Sequence, residues 1–207
     1  SLRGLNVCLV EQNKLASGAS SNSSKLAHGG LRYLEQFQFG LVKESLRERD
    51  LLLKLSPQYV KPLPFLFPIY KGSKRSRWKV KCGMMLYDFL AQKSPLPSHQ
   101  SLSSIDVSRQ CPALKLADLK GGFVYYDAQM EDEQLVLANI QAGTDLGLIA
   151  LQECECLGFI QSTDQVTGIN ISYQDKTYSV YGRCILNASG PWVDRVASLS
   201  KLNPISP

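Results

Sequence analysis

From Ala16 to Lys25 the chain reads Ala-Ser-Gly-Ala-Ser-Ser-Asn-Ser-Ser-Lys, and His28-Gly29-Gly30-Leu31-Arg32-Tyr33-Leu34 follows within three residues. A run this small and polar is a loop. Small residues also let a backbone approach a flat ligand closely. The hydroxyls and amides between Ser20 and Arg32 can hydrogen-bond a phosphate or the edge of a ring, and Gly29-Gly30 removes side chains where a ring could lie. Lys25 and Arg32 supply positive charge for an anion, which arginine can grip bidentately. A flexible Ser/Gly loop beside a helix fits the same spacing equally well.

The flanking elements set this loop in an α/β context. Leu5 to Glu11 is a short apolar run of strand type closed by an acid. A carboxylate ending the second strand of a dinucleotide fold accepts hydrogen bonds from ribose hydroxyls, although an incidental surface acid reads the same. The G-x-G-x-x-G that gives such a strand its meaning belongs some ~20 residues earlier. Leu2-Arg3-Gly4 resembles a helix tail, so both ends are expected to be internal to a domain. Phe39 to Leu55 has helical spacing, stopped by Pro57, and Pro62, Pro64 and Pro68 then force an extended stretch. Trp78 to Leu90 is expected to be helical, Ser94 to Leu119 a surface excursion, and Gly122 to Asp127 a strand. Asp132 is expected to cap a helix that ends at Gly147. Cys156–Gln161, Val166–Tyr173 and Tyr178–Leu186 read as strands, with turns at Asp164-Gln165 and Gln174-Asp175-Lys176.

Composition narrows the class. A 44% hydrophobic fraction suits a globular core, and no apolar run reaches the ~18 residues of a membrane-spanning helix. Six cysteines contain no C-x-x-C pair, and His28 and His99 lack metal-ligand spacing, so no metal is expected. Cys8 and Cys184 lie in apolar runs and read as core. The net charge of +5 is local: Lys71, Lys74, Arg75, Arg77, Lys79 and Lys81 cluster without an acid. The remaining 17 basic and 18 acidic residues nearly balance, which argues against a nucleic-acid binder. A charge run is commonly a solvated face. Around Trp78, Cys82, Met84, Met85, Leu86 and Phe89 it also suits an amphipathic helix on an anionic membrane. Sequons at Asn22, Asn170 and Asn187 carry no weight without a secretory signal.

Leu15 to Glu35 as a whole closely resembles the signature of the FAD-dependent glycerol-3-phosphate dehydrogenases. Further blocks follow in that family's order: Leu41–Arg49, Pro62–Phe65, Leu86-Tyr87-Asp88, Gly121–Gln129, Asp132 with Leu135–Ala138, and Asn187–Val193. The resemblance implies a flavoprotein that oxidises sn-glycerol 3-phosphate to dihydroxyacetone phosphate and passes electrons to membrane quinone. Hydride would leave C2 of the substrate for the flavin while a base takes the hydroxyl proton. It assigns Glu11 to the adenosine ribose, and Ser20, Ser21, Ser24, Lys25, His28, Gly29, Gly30 and Leu31 to the flavin. Arg32 with Tyr33 is assigned to the substrate phosphate, and Ala188-Ser189-Gly190 to a later flavin turn that is usually Ala-Thr-Gly in the family. His28 is the candidate catalytic group, alongside a reading in which it only hydrogen-bonds flavin or backbone. Ala27 replaces a larger apolar residue common in that family.

The expected fold is therefore α/β (mixed α+β): a Rossmann-like FAD-binding domain interleaved with a mainly β substrate domain, incomplete at both ends. Residues 1–55 and 122–207 are expected on the flavin side, and 56–121 on the substrate and membrane side. Expected partners are glycerol 3-phosphate, a membrane quinone, an anionic membrane touched through Lys71–Lys81, and a second copy in a homodimer. The expected location is the cytoplasmic face of the bacterial inner membrane, peripherally, or else the mitochondrial inner membrane. Without the pyrophosphate loop, this length of chain alone is expected neither to hold FAD tightly nor to turn over. Two readings stay open beside this one: a flavin oxidase of the same superfamily acting on an amine or amino acid, and a non-catalytic relic without flavin.

Overall fold

A computed structural model describes residues 1–163 and 165–200. Asp164 of the expected turn, and residues 201–207 of the expected flavin-side range, lie outside the described residues. In chain order the elements are β1 (Cys8–Val10), β2 (Leu26–Ala27), α1 (Phe39–Leu55), β3 (Val60–Tyr70), α2 (Arg77–Ala91) and β4 (Gln100–Leu102). Next come α3 (Ser104–Gln110), β5 (Leu119–Met130), α4 (Asp132–Asp145), β6 (Ile149–Leu151), β7 (Cys154–Ser162), β8 (Gln165–Tyr173), β9 (Lys176–Tyr181) and α5 (Val193–Ala197). Short 3₁₀ helices occupy Leu31–Gln36 and Gly190–Trp192. The expected α/β architecture is present, and the chain forms two compact units: Ser1–Asn22 with Val136–Pro207, and Ser23–Leu135.

In the continuous unit, β5 is the spine of an antiparallel sheet. One edge of β5 pairs with β3 from Val60↔Met130 to Ile69↔Gly121, and its other edge takes β2 and β4. Pro62, Pro64 and Pro68 lie inside β3 opposite Ala128, Tyr126 and Gly122. The even spacing aims all three missing donors away from β5, which is how an edge strand tolerates proline.

Strand alternation then sorts the core. Phe123 packs with Ile69, Val80 and Met84, while its neighbour Val124 packs with Leu102, Val107 and Leu119. Ser94–Leu119 is thus more than the expected surface excursion: three short stretches of it bury Leu102, Val107 and Leu119. The Ser103–Asp106 capping box starts α3 and aims Val107 inward.

Helices α1 and α2 occupy their expected spans, and each buries one stripe. In α1 the stripe is Val42, Leu46 and Arg49; in α2 it is Val80, Met84 and Tyr87. Both follow i, i+4, i+7 spacing, and both end in a polar residue.

In the discontinuous unit, β1 and β6 pair in parallel, Cys8↔Ile149 to Val10↔Leu151. β7, β8 and β9 form an antiparallel meander, and Gln174 and Asp175 turn β8 into β9 with φ of 49° and 59°. Two consecutive left-handed residues match the twist of a two-residue hairpin, so Lys176 already belongs to the strand. The third strand stops at Tyr181 rather than running on to Leu186. The Gly182 amide makes one last bond to the Thr167 carbonyl, and Arg183 and Cys184 then run on exposed, so Cys184 is not core; nor is Cys8, whose strand has a single described neighbour.

Asp132 is the first helical residue of α4 rather than its cap, because the Leu135 amide donates to the Glu131 carbonyl at 2.9 Å. Gly147, at φ 86°, supplies the expected left-handed stop.

Candidate functional site

The His28–Tyr33 segment leaves β2 and enters the 3₁₀ helix of Leu31–Gln36, whose neighbours three apart share a face. Leu31 and Leu34 take the inward face and pack with Val42, Leu46 and Tyr87. That leaves His28, Arg32 and Tyr33 exposed on one continuous stretch, with Gly29 and Gly30 buried between them.

Each glycine also has a reason within the fold, beside the ring clearance read in the sequence. A Cβ at Gly29 would run into Leu46 and Tyr87. Gly30 has φ 70° and turns the chain into the helix, where a Cβ would strike the Tyr33 ring.

What fixes this stretch is a buried polar knot absent from the sequence-derived site. Asp127 shares the Phe123–Tyr125 face of β5 and points at the ends of the α1 and α2 stripes. Its Oδ1 accepts from Arg49 Nη1 at 2.8 Å and from the Tyr87 hydroxyl at 2.7 Å. The Gly29 amide donates to the Tyr87 oxygen at 3.0 Å and to Asp127 Oδ1 at 3.2 Å. Arg49 also donates to the Tyr126 carbonyl, to Asp50 through Nε and Nη2, and to Ser94. The buried ion pair is thus almost completely hydrogen-bonded, the condition under which such a pair is tolerated.

Electrostatics follow from this geometry. Burial opposes the Arg49 charge, but hydrogen bonds and attraction to Asp127 and Asp50 outweigh it, so its pKa rises. Burial, then the charge on Asp127, pushes the Tyr87 phenol far above its ordinary range, so it stays a donor. Tyr125, set edge-on to Tyr87, is pushed up to about 12 by burial and then by Asp127.

Other expected site residues divide between the two units. In the continuous unit, Ser24 is exposed, and Lys25, at φ 58°, accepts through its carbonyl from the Met130 amide at 2.8 Å, anchoring β2 to β5. Ala27, 8% exposed, packs with Val60 and Ala128.

In the discontinuous unit, Glu11 ends β1, and its carboxylate accepts from the Asn13 amide at 2.9 Å. Ser20 and Ser21 lie in the turns after it, where the Ser21 hydroxyl donates to the Ala16 carbonyl at 2.7 Å. Ala188-Ser189-Gly190 is shaped by Asn187, whose Oδ1 accepts from the Ser189 amide and hydroxyl while its Nδ2 donates to the Val193 carbonyl.

The basic cluster is less uniform than its sequence suggests. Arg75 chelates Glu35 through two contacts of 2.6 Å, holding that carboxylate down at about 2. Arg77 turns to the Lys120 and Leu102 carbonyls and to Ser101, over the Phe123 ring. On α2, Met84 is buried instead of joining the outer face, which carries Trp78, Cys82, Met85 and Phe89. Among the described residues no His/Cys/Asp/Glu group could hold a metal, and no helix is long and apolar enough to cross a membrane.

Known proteins give this geometry its context. The FAD dependent oxidoreductase (DAO) family model matches residues 1–207. A glycerol-3-phosphate dehydrogenase of Mycobacterium leprae is 40% identical over 206 residues, covering 96% of this chain and 34% of that protein. An alpha-glycerophosphate oxidase of Lactococcus lactis is 34% identical over 99% of this chain and 35% of its own length. The chain thus spans about a third of the curated relatives it matches. Among solved structures, a glycerol-3-phosphate dehydrogenase of Bacillus halodurans complexed with FAD superposes with a TM-score of 0.71 at 26% identity, over 96% of this chain and 32% of that one. An L-proline dehydrogenase of P. horikoshii reaches 0.63 at 15% identity over 96% of this chain and 50% of its own, a likeness of fold. The match over the whole chain decides the matter: this protein belongs to the FAD-dependent oxidoreductase family, whose cofactor is FAD.

Proposed function

We propose that the protein containing this chain oxidises sn-glycerol 3-phosphate to dihydroxyacetone phosphate and passes the electrons to a membrane quinone. The carrying observation is the His28–Tyr33 segment, which is anchored by Leu31, Leu34 and the Gly29 amide yet presents His28 and Arg32 outward. Relatives named for glycerol 3-phosphate supply the substrate class.

The residues present fit part of FAD. Glu11 closes the carboxyl end of a strand in a parallel pair, where dinucleotide folds hold a ribose, and Ser189 stands in a turn pinned by Asn187. On this reading Glu11 holds the ribose, while Ser20, Ser21, Ser24, Lys25, the backbone of His28–Leu31 and the Ala188–Gly190 turn line the cofactor. Bound FAD supplies the two-electron acceptor. Arg32, helped by the Tyr33 hydroxyl, grips the substrate phosphate and orients the C2 hydroxyl. His28 stands ready to take or hold that hydroxyl proton. Residues 1–55 and 122–207 serve the flavin side and 56–121 the substrate and membrane side. This length of chain alone neither retains FAD tightly nor turns over.

The outer face of α2, with Trp78, Met85 and Phe89 exposed, Lys81 over the Trp78 ring, and exposed Lys71 and Lys74 just before the helix in the chain, suits an anionic membrane surface such as the cytoplasmic face of a bacterial inner membrane. Neutralising those three lysines should weaken binding to anionic liposomes, and intact binding would refute the contact. A homodimer is part of the proposal, checked by the mass of the purified protein in solution. The central experiment is to express the full-length gene, look for bound flavin absorbance and assay glycerol 3-phosphate with a quinone analogue. A flavin-loaded protein inert to glycerol 3-phosphate but active on amino acids would sink the substrate assignment.

A further inference from the structure

We infer that Asp127 is a positioning residue: clamped by Arg49 and Tyr87, it fixes the Gly29 amide and so sets the segment that carries His28 and Arg32. The inference rests on the proposed role of that segment. Four parts of the fold meet at one carboxylate, namely α1 through Arg49, α2 through Tyr87, β5 through Asp127 itself and the loop through Gly29. Both charged side chains are 3% exposed or less, so water does not compete for these bonds.

The geometry is over-determined at Gly29. Its amide is shared between a phenol oxygen and a carboxylate oxygen, and its missing side chain leaves the gap into which Leu46 and Tyr87 press. A peptide fixed on both its polar and steric sides cannot rotate without breaking the knot. His28 before the two glycines and Arg32 after them face solvent, while Leu31 packs inward, so the orientation of both is inherited from this buried anchor. Neither Asp127 nor Tyr87 needs to touch substrate or cofactor for this role. Their effect passes through one peptide plane.

The test uses the full-length, flavin-loaded protein and two variants, Tyr87→Phe and Asp127→Asn. Tyr87→Phe keeps the ring packing and the ion pair, and so remains informative even where Asp127→Asn fails to fold. Hydrogen–deuterium exchange of residues 27–31 should rise about tenfold in Tyr87→Phe, the equivalent of one net hydrogen bond, with α1 and β5 amides unchanged. At equal flavin content, kcat/KM for glycerol 3-phosphate should fall about tenfold, on the same hydrogen-bond scale. Unchanged exchange at residues 27–31, or a rise spread evenly over the unit, overturns the inference, as does a local rise that leaves kcat/KM unaltered. A wild-type enzyme inert to glycerol 3-phosphate defeats the substrate proposal instead, while the exchange measurement still decides whether Asp127 holds the segment.

Discussion

Arg49 and Asp127, on α1 and β5, form an ion pair at 2.8 Å with side chains only 2% and 3% exposed. Removing one partner leaves an uncompensated buried charge, so Asp127→Ala should destabilise the full-length protein by about 3–5 kcal/mol. Chemical denaturation checks this, and a loss under about 1 kcal/mol, the range of exposed pairs, would mean that water reaches the site.

Gly29→Ala should overpack the same region, because its methyl would meet Leu46 and Tyr87. A cost of about 1–3 kcal/mol is expected. The double variant Gly29→Ala/Tyr87→Phe should recover little of it, since Leu46 remains in the way. Midpoints of urea unfolding distinguish these outcomes.

Gly30→Ala should cost about 1–2 kcal/mol for a different reason, the left-handed φ of 70°. Gly30→Asn should be milder, as asparagine tolerates that region better. Equal losses in the two variants would point to the Tyr33 contact instead of the backbone.

Tyr87 and Tyr125 both bind their protons more tightly in the folded chain, the latter with a pKa of about 12. The stability that follows is fully present below the ordinary phenol value near ~10 and is lost as pH rises through the folded values. A variant lacking Asp127 should unfold at lower alkaline pH because it is destabilised at every pH, while its Tyr87 and Tyr125 phenols titrate closer to their ordinary value. Ultraviolet titration of the phenols, with Tyr125→Phe as reference, measures this directly.

Glu35 has the opposite sign. Its pKa of about 2 reflects the Arg75 contact, so the pair contributes above the ordinary carboxylate value of 4.5 and is lost as pH falls toward 2. The pair lies at the surface, so salt should erase the contribution. Wild type and Glu35→Gln should differ slightly in melting temperature at neutral pH and low salt, and not at all in strong salt. A difference that survives salt would be evidence against a screened surface pair.

β5, buried on both faces, was legible from its aromatic and β-branched content, whereas periodicity made α1 and α2 legible, because each spends its repeat on one buried face. It concealed Arg49, which sits at i+7 from Val42 and reads as surface among Arg47, Glu48 and Asp50 until its partner 78 residues away is known. The Leu102–Val107–Leu119 cluster was hidden for a related reason: three widely separated apolar residues show no period. The exposed site residues were legible as a resemblance and not as spacing, since a loop has no repeat to betray which backbone is pinned. A buried Asp and Tyr within the Leu86–Asp88 and Gly121–Gln129 blocks were the available signal, and they matter through long-range pairing that no local window contains.

The outer rim of β3 carries one more consequence. Of the six positions from Val60 to Tyr70 that face away from β5, three are prolines, Val60 donates to Ser56, and Tyr70 donates to the Ser73 hydroxyl. A stray strand arriving there would meet carbonyls with almost no donors to answer its own, so the sheet carries a built-in resistance to edge-to-edge aggregation along this rim.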